Sequence, residues 1–86
     1  MKASHILVNT LEQAQSILKE ANPLNFGQLA RQHSSCPSNA RGGDLGDFGP
    51  GQMVKPFEDA TVATAVGSIS QPVQTQFGYH LIHRTG

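Results

Sequence analysis

Two short apolar segments that each contain a histidine lie at opposite ends of this chain. The first is KASHILV, residues 2–8, and the second is YHLIHR, residues 79–84. Short apolar runs bounded by polar residues are typical of buried strands. If the two strands are neighbours in one sheet, His5 and His80 can come into contact. The pattern therefore favours a fold in which the two ends of the chain meet.

Length and composition limit the class of protein. The chain has 86 residues, so we expect one domain over residues 1–86. Six basic and six acidic residues are scattered and give a net charge of zero, so neither a nucleic acid nor a membrane surface is the expected partner. The single cysteine can form no internal disulfide, which suits a reducing compartment. With no apparent signal peptide or transmembrane stretch, we expect a cytoplasmic monomer.

Capping signals predict two helices after the first strand. Thr10 is a good N-cap, and Gln13 completes a capping box. Apolar residues then follow at helical spacing until Pro23, which ends the helix. Asn25 is the expected N-cap of a second helix, which runs to about Ser35.

The second half of the chain indicates an α+β domain. Residues 37–51 hold five of the nine glycines and predict a loop with a short strand around residues 45–48. Pro56 can open a third helix. Two strands are expected over residues 71–75 and 79–84, around a turn with glycine. Charged pairs such as Glu58 and Asp59 are expected to be solvated.

Four motifs resemble the signatures of the parvulin peptidyl-prolyl cis/trans isomerases, in the right order and over essentially the whole chain. They are HILV at residues 5–8, RGGDLG at 41–46, GQMVKPF at 51–57 and QFGYHLI at 76–82. The resemblance implies the parvulin-like fold of the FKBP-like superfold. That fold is a four-stranded antiparallel sheet surrounded by about four helices, in the order βαααβαββ, with the first and last strands adjacent.

The resemblance also implies a set of site residues. His5 and His80 match the paired histidines of the family, and Thr75 matches the residue that hydrogen-bonds the pair. Cys36 matches a position that is cysteine in many members and aspartate in others. An apolar pocket for the substrate proline is expected from Leu45, Met53 and Phe57.

One departure from part of the family bears on specificity. Phospho-specific parvulins carry a basic loop after the first strand, whereas residues 8–11 here contain no lysine or arginine. Phe77 stands where phospho-specific members have a small residue, and it can extend the apolar wall. We therefore expect a preference for an apolar residue before proline.

Amide rotation requires no proton transfer, so the histidines are expected to shape the site as a neutral pair, with activity falling toward pH 5. Cys36 is either a nucleophile on the substrate carbonyl or an electron-rich neighbour, and the family's acceptance of aspartate argues against obligate covalent catalysis.

Three functions follow from these features. The first is an active prolyl isomerase that acts on proline-containing polypeptides. The second is a peptide-binding module with little catalysis. The third is a cysteine hydrolase, for which no oxyanion hole or orienting carboxylate is identifiable.

Two ligand-binding alternatives are weaker. The glycine-rich stretch lacks the Gly-Lys-Ser/Thr ending of a phosphate-binding loop. His33 and Cys36 lie one helical turn apart, but two ligands do not make a structural zinc site. No metal or cofactor is therefore expected.

Overall fold

The computed structural model describes residues 1–34 and 42–86. They form four strands and three helices, in the order β1 (Lys2–Val8), α1 (Leu11–Glu20), α2 (Phe26–His33), β2 (Asp44–Asp47), α3 (Lys55–Ala63), β3 (Val73–Thr75) and β4 (Gly78–Arg84). The strands form one antiparallel sheet with the spatial order β2-β1-β4-β3. The expected α+β class and the adjacency of the first and last strands are confirmed.

The described residues contain three helices, whereas about four were expected from the resemblance. The described residues have the order βααβαββ, without the additional helix expected before β2. Of the chain between α2 and β2, only Ser34, Gly42 and Gly43 are described, so most of the stretch in which the additional helix was expected lies outside the described residues. Strand β3 begins at Val73 rather than at residue 71, since Pro72 directly before it has no N–H for the ladder.

The capping box of α1 is present, whereas the expected cap of α2 is absent. The Thr10 hydroxyl accepts the Gln13 N–H, and the Gln13 side chain accepts the Thr10 N–H. Asn25 makes no side-chain cap of α2. Its amide group instead donates to the Glu20 carbonyl and accepts the Asn22 N–H. The polar turn between the two helices therefore uses the side chain that was expected to cap the second one.

The two faces of the sheet carry different halves of the core. Helices α1 and α2 cover one face, in a cluster that includes Ile6, Val8, Ala14, Phe26, Leu29 and Leu81. The opposite face buries Ala3 and Ile82 against Phe48 and Phe57 of the chain around α3. Arg84 of β4 also donates to the carbonyls of Thr61, Val62 and Thr64 at 3.2–3.4 Å, which holds the C-terminal end of α3 on the sheet.

Gly43 lets the chain enter β2 in close contact with β1. Its carbonyl accepts the His5 N–H at 2.9 Å. With a φ of 79°, the residue lies in the region that favours glycine. A Cβ atom at this position would overlap the His5 carbonyl oxygen. The backbone beside His5 therefore depends on the absence of a side chain at residue 43.

Replacement of Gly43 is expected to destabilise the protein. Gly43→Ala should lower the free energy of unfolding by about 2 kcal/mol or more, through the positive φ and the overlap with His5. Gly49→Ala is the matched control, because its φ is not positive and a Cβ there meets no atom within 4 Å. Urea denaturation of both variants measures the difference. Equal stability of the two would contradict this account of Gly43.

Candidate active site

The pairing of β1 with β4 brings the two histidines into contact. In this register His5 lies opposite Ile82, and Leu7 lies opposite His80, so both imidazoles project from the same face. Their Nδ1 atoms are 3.0 Å apart, and the ring planes are inclined by 16° with centroids 5.1 Å apart. The contact expected from the sequence is therefore present.

Thr75 connects the histidine pair to the β3–β4 turn. Its hydroxyl oxygen lies 2.8 Å from Nε2 of His80 and accepts the Phe77 N–H at 3.2 Å. One proton lies between the two Nδ1 atoms, so one imidazole donates and the other accepts. This arrangement requires at least one neutral ring.

Burial keeps both rings neutral. Burial, together with a smaller effect of the nearby His80, lowers the pKa of His5 to about 4. Burial alone lowers the pKa of His80 to about 4. The edge contacts of Phe57 contribute to this dry setting, since its ring packs at 5.6 Å from His5 and 5.1 Å from His80, nearly perpendicular to both.

The three expected pocket residues lie in one apolar cluster beside the histidines. Phe57 is buried, whereas Leu45 and Met53 pack against it and remain half-buried. Sequence reasoning missed other members of this cluster, namely Phe48, Val54 and Val73. Partial exposure of Leu45 and Met53 leaves apolar surface accessible in the cluster whose Phe57 ring contacts the imidazoles.

Two expected site residues are not placed in this cluster. Phe77 lies in the β3–β4 turn with 59% of its surface exposed, so its side chain is free to contact a bound peptide. Cys36 lies outside the described residues. Within the described ranges, no group of three metal-ligating side chains occurs.

Glu58 was expected to be solvated, and it makes a backbone contact that this expectation did not include. The residue is half-buried, and its Oε1 accepts the Gly51 N–H at 2.7 Å. The sequence gives no signal for this bond, because Gly51 lies seven residues earlier in a loop. Asp59, the next residue, is exposed and pairs with Lys55 at 3.3 Å.

Comparison with known proteins identifies the family. The rotamase model described as "PPIC-type PPIASE domain" matches residues 5–86. The chain belongs to the parvulin-type peptidyl-prolyl isomerases. The peptidyl-prolyl cis-trans isomerase Pin1 of Digitalis lanata is 52% identical over 80 residues, which cover 91% of this chain and 68% of that relative.

Solved parvulin structures have the same fold. The peptidylprolyl isomerase PrsA of Bacillus anthracis is 44% identical with a TM-score of 0.93, over all of this chain and 41% of that one. NmPin, the parvuline of Nitrosopumilus maritimus, is 43% identical with a TM-score of 0.86, over all of this chain and 95% of that one. The chain is thus a peptidyl-prolyl cis/trans isomerase domain and spans less than half of the PrsA chain.

The neutral histidine pair makes the parvulin domain sensitive to acid. The folded pKa values of His5 and His80, about 4, lie below the ordinary 6.5. The unfolded chain therefore binds protons that the folded chain does not, and the free energy of unfolding should fall as pH drops from about 6.5 to about 4. Each histidine contributes up to about 1.4 kcal/mol per pH unit. The sequence led us to expect a loss of activity toward pH 5. With histidine pKa values of about 4, the loss is expected at about pH 4 instead.

Urea denaturation across this range and NMR titration of the imidazoles check the prediction. His80→Asn removes one titrating group and should flatten the slope. A stability that does not change between pH 6.5 and 4, or imidazole resonances that titrate near 6.5, would show that the pair is not held neutral.

Proposed function

We propose that this isomerase acts preferentially on Xaa-Pro bonds preceded by an apolar residue, in unfolded or partly folded polypeptides. The observation that carries the proposal is the half-exposed apolar surface of Leu45 and Met53. It lies in one cluster with Phe57, whose ring packs on two neutral imidazoles. This surface suits a proline ring, and Met53 supplies an adaptable contact.

Rotation about the peptide bond needs a site that favours the twisted amide. The barrier of about 18–20 kcal/mol comes from amide resonance, which water supports by solvating the polar planar form. In the twisted state the carbonyl oxygen loses negative charge and the nitrogen becomes pyramidal. A dry apolar pocket that grips the proline ring lowers the relative free energy of that state, provided that it binds the twisted form more tightly than either planar form.

We assign the histidine pair a structural part in this mechanism. The neutral rings form the floor of the pocket, with His80 held by Thr75 and both rings held by Phe57. No proton needs to leave or enter the substrate. The pair therefore acts by fixing the shape and the low polarity of the site.

The connection after β1 supports the apolar preference. Strand β1 ends at Val8 and α1 begins at Leu11, so Asn9 and Thr10 alone connect them. These two uncharged residues leave no space for a loop of lysines or arginines. The exposed ring of Phe77 is suited to pack on an apolar side chain before proline.

The remaining expectations are proposed on the sequence and the resemblance. We propose that residues 1–86 form one domain that acts as a monomer in the cytoplasm, where a lone cysteine stays reduced. We also propose Cys36 as an electron-rich neighbour of the substrate amide, because the family accepts aspartate at the matching position.

NMR exchange spectroscopy tests the substrate preference. Short peptides with Leu-Pro, Glu-Pro and phosphoserine-Pro bonds are compared with and without catalytic amounts of the protein. We expect the largest acceleration of cis/trans exchange for Leu-Pro. Faster exchange of phosphoserine-Pro would overturn the apolar preference. Binding of the peptides without acceleration would favour a peptide-binding module with little catalysis.

Loss of the Thr75 hydroxyl is expected to impair catalysis. Thr75→Val keeps the shape but leaves Nε2 of His80 and the Phe77 N–H without their contact. We expect kcat/KM for the Leu-Pro peptide to fall about tenfold, in line with the loss of a partner by a buried polar group. Thr75→Ser should restore most of it. If Thr75→Val keeps wild-type activity, the proposed role of Thr75 in the site is wrong.

A further inference from the structure

One hydrogen bond joins the loop before α3 to the helix, and two pocket residues lie in the chain segment between its two partners. Oε1 of Glu58 accepts the Gly51 N–H at 2.7 Å. Met53 and Phe57 both lie in the chain between these partners and pack in the same apolar cluster. The bond therefore joins the two ends of the segment that supplies this part of the pocket.

The rest of the loop is held mainly on itself. The Gly49 N–H donates to the Gln52 side chain at 2.6 Å, and the Gln52 N–H donates to the Gly49 carbonyl at 3.3 Å. Both contacts close the turn without connecting it to α3. Pro50, Gly51 and Gln52 are exposed, so the turn has little packing of its own. Its position relative to the helix depends on Glu58 and on the packing of Met53 and Val54.

The residue types at both ends of the bond suit a fixed geometry. Gly51 has a φ of 84°, which favours glycine and sets the direction of its N–H. A carboxylate is a stronger acceptor than a neutral oxygen, and Glu58 lies near the N-terminus of α3, where the helix dipole favours negative charge. Asp59 has the same charge but pairs with Lys55 in solvent.

We propose that Glu58 is a positioning residue, which holds the Met53 wall of the pocket against Phe57 and so sets the affinity for the substrate proline. This inference rests on the proposed role of these two side chains in binding the proline ring. Glu58 itself acts through the loop. Its loss therefore affects how well the pocket is preorganised for binding, while the histidine pair is left intact.

Three variants separate this role from a general effect on the fold. Glu58→Ala removes the acceptor, Glu58→Gln keeps an acceptor oxygen without the charge, and Asp59→Ala is the matched control at the neighbouring acidic residue. KM and kcat are measured on the peptide that the wild-type protein isomerises fastest. Hydrogen exchange of the Gly51 amide is measured on the free protein, with the Gly49 amide as internal reference.

We expect Glu58→Ala to raise KM about tenfold with kcat within about twofold of wild type, as loss of a hydrogen bond to a charged group allows. The Gly51 amide should exchange faster while the Gly49 amide does not change. Glu58→Gln should recover most of the affinity, and Asp59→Ala should match wild type. These results together would establish the positioning role.

Other results would overturn it. They are a KM of Glu58→Ala within about twofold of wild type, a loss confined to kcat, or unchanged exchange at Gly51. The last readout needs no substrate, so it remains decisive even if the preferred peptide is not Leu-Pro. A fall in thermal stability that accounts for the lost activity, with KM unchanged in the folded fraction, would also count against the proposal.

Discussion

The pairing of the first strand with the last one determines the rest of this structure. Cα partners run from Ala3 opposite Arg84 to Val8 opposite Tyr79. Because side chains alternate along each strand, this register places His5 and His80 on one face and Ile6 and Leu81 on the other. A slip by one residue would turn one histidine into the opposite core. Core and candidate site therefore depend on the same register.

The neutrality of the histidine pair follows from where this register puts it. Both rings lie under Phe57, with exposed fractions of 5% for His5 and 4% for His80. A buried charge without a compensating partner costs free energy. The two rings therefore stay unprotonated, and the packing around them is kept. One hydrogen bond between the rings and one to Thr75 then satisfy polar atoms that would otherwise be unpaired in an apolar site.

The parts that could be predicted from the sequence are those with a local pattern or a family motif. The bounds of β1 and the capping box of Thr10 depend on neighbours within a few residues, and the contact of His5 with His80 follows once the two strands pair. The cap expected at Asn25 failed because the preceding turn offered its side chain nearer partners at Asn22 and Glu20. Glu58 was missed because its partner is a backbone group in a loop, which leaves no trace in residue type or spacing.

Helix α3 connects the two sides of the proposed pocket. Phe57 packs on both histidines, Glu58 holds the preceding loop, and Arg84 fixes the far end of the helix on the sheet. A site supported by rigid elements keeps its geometry better than one built on loops alone. Met53 is the exception, since it lies on a loop and has a flexible side chain. The histidine side of the pocket is therefore fixed, and adaptation to different polypeptides falls to the Met53 side, within the range that the bond to Glu58 permits.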